Sequence, residues 1–185
     1  MTLRVGTQKS VNLVMLQGLP GDLASARTQV TLAANGLFAL GDVTVGGACF
    51  YTSNGNQVVS DSTDGTTNVA GFVLRNTGLS PMSWVDSDLG YGFVVPNGSQ
   101  ATVAVGGDIM GIITGINSSG TANHVPTIGE YIWVNLTTGA LAAAPSSVAT
   151  ATGYTRTNMK ITQIGGVTSA TVSSNQTFGV YSGNL

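Results

Sequence analysis

No segment of about eleven or more residues combines helical periodicity with capping signals, and short alternating runs divided by glycine-bearing turns recur throughout. Val103 and Val105 alternate with Thr102 and Ala104, and Phe178 and Val180 with Thr177 and Gly179, the pattern of half-buried strands. The chain is rich in Val and Thr and poor in Glu, Lys and Leu, which favours strands further. Asn54-Gly55 lies between Cys49–Thr52 and Gln57–Ser60 and predicts a β-hairpin. Asp64-Gly65, Asn97-Gly98 and Thr138-Gly139 read as further turns. Gly46-Gly47 and Gly106-Gly107 fall inside apolar runs, where glycine pairs mark bulges or bends that pass a strand between layers. The expected fold is all-β, a sandwich or barrel of jelly-roll-like kind.

Residues 1–35 read differently. Ser10–Leu19 is apolar, Pro20-Gly21 interrupts it, and an Ala-Ser-Ala stretch follows within Asp22–Arg27. This is expected to be an extended N-terminal arm packing on a neighbour, ahead of a single β domain over 36–185. Gly115–Ile128 is the best loop candidate, and Ala140–Ala151 reads as a second loop or a weak edge strand.

Charge is scarce. The chain holds six Lys and Arg, eight Asp and Glu, one His and one Cys among 185 residues, for a net charge of −2. Chemistry at neutral pH usually needs clustered titratable groups or metal ligands, which this composition can hardly supply. Arg4, Lys9, Arg27, Arg75, Arg156 and Lys160 are scattered along the sequence, against the basic stripe a nucleic-acid binder needs. No apolar run reaches the ~18 residues of a membrane span. No signal-peptide cleavage pattern follows the N-terminus, so synthesis in a cytoplasm without export is expected. Cys49, within Ala48-Cys49-Phe50-Tyr51, reads as a small core residue and can form no intrachain disulfide.

The remaining candidates are weak as chemistry. His124 has no second His or Cys beside it for zinc and reads as a solvent-exposed loop residue. Asp61 and Asp64 lack the further oxygen ligands of a calcium loop. Asp86 and Asp88 follow Trp84 and read as a solvated loop. Tyr131 and Trp133 lie two apart in a strand and so share a face, for packing rather than sugar stacking. No catalytic residue, metal or cofactor is expected. The function left is that of a neutral β surface presented to a partner.

The order of several segments is more specific. Gly21-Asp22-Leu23-Ala24-Ser25-Ala26 precedes Gly41-Asp42-Val43-Thr44-Val45-Gly46, and Ala70-Gly71-Phe72-Val73-Leu74-Arg75 follows. Next come Val94-Val95-Pro96-Asn97-Gly98 and Gly129-Glu130-Tyr131-Ile132-Trp133-Val134. This succession resembles the structural cement proteins of tailed bacteriophages, which decorate the capsid. From Ala140 onward the likeness is that of generic strands.

The resemblance implies a non-enzymatic protein made in the host cytoplasm and carried on the outer capsid surface of the virion. Its partners would be the major capsid protein and copies of itself, a trimer favoured over a dimer, with no nucleic acid and no membrane. Contact with a partner is expected in the arm, at Val11, Leu13, Gly21, Asp22, Leu23, Ala24, Ser25 and Arg27. The alternative is a phage fibre or receptor-binding domain recognising carbohydrate, for which Trp84 with Asp86 and Asp88 is the candidate site.

Overall fold

The structure, a computed structural model, describes residues 21–24, 31–33, 37–60, 62, 68–75, 83–85, 92–164 and 175–185, with backbone alone at 83–85, 92 and 93. Every described element is a strand, as the alternating pattern predicts. The strands are β1 (Thr31–Leu32), β2 (Phe38–Ala39), β3 (Val43–Thr44), β4 (Ala48–Tyr51), β5 (Gln57–Val59), β6 (Val69–Val73) and β7 (Ser83–Val85). There follow β8 (Gly92–Val95), β9 (Val103–Ile116), β10 (Ala122–His124), β11 (Tyr131–Asn135), β12 (Leu141–Ala144), β13 (Tyr154–Ile164) and β14 (Gln176–Asn184).

Of the two expected architectures, the barrel is the one formed. Strands run in the order β12-β11-β13-β14-β9, and β12 pairs back onto β9 in parallel, closing a five-stranded barrel. Closure leaves these five strands without the open edges through which a neutral strand protein would aggregate. The long β9 serves two sheets. Its C-terminal part, Gly106–Thr114, pairs with β14, and its start pairs with β6, from which β4, β5 and β2 extend. Gly106-Gly107 sits where β9 changes partners, and Gly107 adopts a φ of 129°, a conformation side chains resist. The Gly46-Gly47 pair likewise lies between β3 of a separate three-stranded sheet (β3-β8-β7) and β4 of the large one. Both glycine pairs therefore act as the layer-switching bends expected of them.

Two cores share one wall. The barrel interior packs Ile109, Ile113, Ile132, Val134, Leu141, Met159, Ile161 and Tyr181. The second core packs Val43, Val45, Cys49, Val58, Ala70, Val73, Val95 and Val103. Strand β4 alternates between them, Phe50 to the first and Cys49 to the second, because successive strand residues face opposite ways. The Asn54-Gly55 hairpin forms as predicted, pairing Phe50 with Val59 and Tyr51 with Val58. Asn97-Gly98 and Thr138-Gly139 are turns with glycine φ of 78° and 68°. Asp64-Gly65 lies outside the described residues.

Three expectations are corrected. Ala140–Ala151 holds β12, wholly buried, which pairs with β11 on one side and β9 on the other. Its alanines are small enough for a strand enclosed on both faces, so low hydrophobicity there signals close packing rather than a loop or edge. Gly115–Ile128 is not one loop: β9 runs to Ile116, a tight turn follows, and β10 returns along β9. Phe178 and Val180 do not mark a half-buried strand. They pack with Met110 outside the barrel, against Ala24, while Tyr181 fills the interior, so β14 is covered on both faces.

The Tyr181 ring stands 5.0 Å from that of Phe72, tilted by 59°. Its hydroxyl is buried without a hydrogen-bond partner. Burial also pushes its ionisation far above the usual phenol range, so it stays neutral. An unpaired buried hydroxyl costs about 1–3 kcal/mol, so Tyr181→Phe is expected to leave stability unchanged or raise it by about 1 kcal/mol. Urea denaturation checks this, and a loss of more than about 1 kcal/mol would reveal a partner for the hydroxyl.

Candidate functional site

Two sequence segments fifty residues apart meet at one place. Gly21 and Asp22 lie against the end of β6, where the Arg75 guanidinium takes the Asp22 carboxylate in a fork, Nε to Oδ1 at 2.5 Å and Nη2 to Oδ2 at 3.1 Å. A planar guanidinium matches a carboxylate in this two-point geometry, which fixes orientation as well as contact. The pair is partly exposed, so its contribution to stability is modest and its value is positional. The main chain does more. Gly21 N donates to Met110 O, Met110 N to Asp22 O, Ala24 N to Asp108 O and Arg75 N to Gly21 O. Residues 21–24 are thus stitched to β9 on one side and to the end of β6 on the other.

Glycine is required at 21. Its φ is 82°, and a Cβ there would press on the Val45 side chain, the Arg75 amide and the Val73 carbonyl. Further along, Thr31 and Leu32 pair with Gly106 and Ala104, and Ala33 N donates to Val103 O. The described parts of residues 1–35 therefore run antiparallel along β9 of their own chain. Leu23 keeps 42% of its surface exposed and Leu32 50%, while the Ala24 side packs toward Met110, Phe178 and Val180. Val11, Leu13, Ser25 and Arg27 lie outside the described residues.

His124 is not the exposed loop residue expected. It ends β10, half-buried, with Nε2 3.2 Å from Oε2 of the buried Glu130. An ionised carboxylate only accepts, so Nε2 carries the proton in this contact. Glu130 also accepts from Thr127 N and Thr127 Oγ1, which closes the Val125–Gly129 turn over it. Nδ1 is buried and unpaired, tucked beside Gly115, where a Cβ would lie 3.1 Å away. The pair braces a turn. Among the described residues no group of three or more His, Cys, Asp or Glu could hold a metal.

Cys49 is fully buried, as expected, and burial pushes its thiol up to about 12, so at neutral pH it is no nucleophile. Tyr131 and Trp133 do share a face, the outer one. Trp133 is buried there with Ile116, Ala142, Ala144 and Ala151, so it packs rather than stacks. Asp61, Asp64, Asp86 and Asp88 lie outside the described residues, as does the side chain of Trp84.

The scattered cations proved an incomplete guide. Arg156 and Lys160, both on β13, converge on the Tyr131 ring of β11, at 5.0 and 4.5 Å from its centroid. Their four-residue spacing puts them on one face of a strand, a signal present in the sequence, but the facing tyrosine depends on which strand lies alongside.

No match to the chain was found among curated proteins. The family described as structural cement protein (E217 gp24/Pam3 gp6) matches residues 7–177 of 185. The match spans the clasped Gly21-Asp22 segment and four of the five barrel strands, ending at the start of β14, so the segments that suggested the likeness are parts of one fold and not isolated coincidences. The chain belongs to the phage structural cement protein family, and its role is that of a structural component of the virion.

Proposed function

We propose that this protein binds the outer face of the assembled phage capsid and strengthens contacts between major capsid protein subunits, without enzymatic activity. The observation that carries this reading is the cement-family match over nearly the whole chain. The geometry agrees with it in one respect. A linking segment can resist a pull only if its root does not peel from the domain, and residues 21–24 are held by four main-chain hydrogen bonds and the Asp22–Arg75 fork.

On this reading residues 1–35 form an arm that reaches a neighbouring subunit. Val11, Leu13, Leu23, Ser25 and Arg27 make contacts there, while Gly21, Asp22 and Ala24 set the root. An extended segment can add a strand to a neighbour's sheet edge and gain main-chain hydrogen bonds without ionic groups. A homo-oligomer, a trimer before a dimer, multiplies such contacts, so each can be weak while the whole holds firmly. Standard stable interfaces bury about 1,600 Å² in total, a scale within reach of an arm plus one domain face.

Deleting residues 1–20 keeps the clasp residues 21–24 and removes the arm ahead of them. Co-sedimentation with capsids prepared without this protein is expected to fall by at least about tenfold, equivalent to 1.4 kcal/mol. Undiminished co-sedimentation would remove the arm from the mechanism. A cryo-EM reconstruction of the particle tests the location, and density at the tail tip in place of the shell would overturn the reading.

A further inference from the structure

The outer face of β13 carries Arg156, Asn158, Lys160 and Thr162, all exposed. Two of the chain's six basic residues thus stand on one sheet face, both over the ring of Tyr131. Among the described residues no carboxylate pairs with either. The nearest acid in sequence, Glu130, is buried and turned to His124 and Thr127.

A distortion of the sheet makes this arrangement. Tyr131 pairs with Lys160 and Trp133 with Arg156, so two steps on β11 face four on β13. Such a bulge re-aims side chains, and the buried Thr157 braces it, its Oγ1 donating to Ile132 O and accepting from Met159 N. In a regular ladder the residue opposite Tyr131 would be Asn158. The bulge brings Lys160 there instead, with Arg156 also over the ring. Two like charges share one aromatic ring in a protein of net negative charge, and among the described residues that ring's quadrupole is what offsets them. That arrangement is favourable once an anionic group lies against it. Beside it, the turn feeding β11 exposes Ile128 at 65%, and Gly129 N ties that turn to Ile161 O, next to Lys160. An apolar contact therefore adjoins an Arg, a Lys and a Tyr, and Tyr and Arg are the residue types enriched at binding hot spots.

We propose that this face, Tyr131, Arg156 and Lys160 with Ile128 at its rim, docks an acidic patch on the shell protein. The inference rests on the shell-binding reading above and names a second contact, independent of the arm. A protein carboxylate surface suits it better than nucleic acid, because two cations on an otherwise neutral face are far short of a phosphate-tracking stripe.

The test uses the full chain and capsids prepared without it. Wild type is expected to bind, and to bind less as salt rises from ~50 to ~500 mM, since exposed charge pairs are screened. The double variant R156E/K160E is expected to lose at least about tenfold in affinity and to lose the salt dependence, and Tyr131→Ala to weaken binding severalfold. Thermal melting verifies folding. Should the reversed pair unfold, R156Q/K160Q is measured instead, with a smaller loss of the same sign expected. Wild-type affinity in the folded variants would overturn this inference and leave the shell reading standing. Failure of wild type to bind shells would overturn both. Retention of wild type, but not of R156E/K160E, on duplex DNA would also overturn it, assigning the cations to nucleic acid.

Discussion

Replacing Phe72 with alanine is expected to lower the unfolding free energy by about 3–5 kcal/mol, a large part of the roughly 5–15 kcal/mol that holds a domain of this size. Phe72 is fully buried at the seam where the outer strands join the barrel. Its backbone is paired to Ala48 of β4 on one side and Ala104 of β9 on the other. Both partners are alanines, too short to fill the vacated space from the adjoining strands. The ring also contacts Tyr181, so its loss leaves one wall of the barrel core facing a void. With the strands fixed on both sides the site cannot collapse, and the cavity term adds to the lost transfer energy. Urea denaturation with an unchanged m-value checks this. A loss below about 1 kcal/mol would mean that the barrel and the outer sheet do not depend on each other through this seam.

Gly21→Val is expected to release the arm's root while leaving the barrel folded. A left-handed φ costs an ordinary residue about 1–2 kcal/mol, and a β-branched one more. The new side chain would also meet the Val45 side chain and the backbone of Val73 and Arg75. Relief comes from lifting residues 21–24 off β9, at the loss of four main-chain hydrogen bonds worth about 0.5–1.5 kcal/mol each. The readout is amide exchange. Met110 N and Arg75 N, which donate to Asp22 O and Gly21 O, are expected to exchange at least about tenfold faster, a change of 1.4 kcal/mol or more in local opening. Ile113, inside the barrel, is expected to keep its protection. Uniform acceleration of both would show that the segment is part of the cooperative core and not a separable root. If the arm acts on capsids as proposed, the same variant loses co-sedimentation together with local protection.

The strand class and the turns were legible because they are local. Period-two alternation reports which way successive side chains point, and Asn54-Gly55 or Thr138-Gly139 reports a backbone shape that few other residues adopt. Cys49 was legible for the same reason, being flanked by apolar neighbours on both sides. Alternation misled where a strand is buried on both faces: in β12 and β14 the second face is covered by elements from elsewhere in the chain. Small residues then read as loop, and an apolar pair reads as half a core. His124 misled because its partner, Glu130, lies across a turn that Thr127 closes, and turn geometry is set by bonds that spacing does not display.

The sequence by itself determined an all-β domain with glycine bends at 46–47 and 106–107, a neutral surface, and, through the order of its segments, membership of a family. The tertiary structure alone decided three things. β12 closes the barrel against β9, Asp22 meets Arg75, and a bulge turns Arg156 and Lys160 onto one tyrosine. Each joins residues 25 to 53 positions apart, or depends on a register between strands. Register is chosen by the packing of whole faces at once, because a one-residue slip would turn every side chain to the wrong side. That choice is a sum over many contacts distributed through the fold, and no single stretch of sequence contains it.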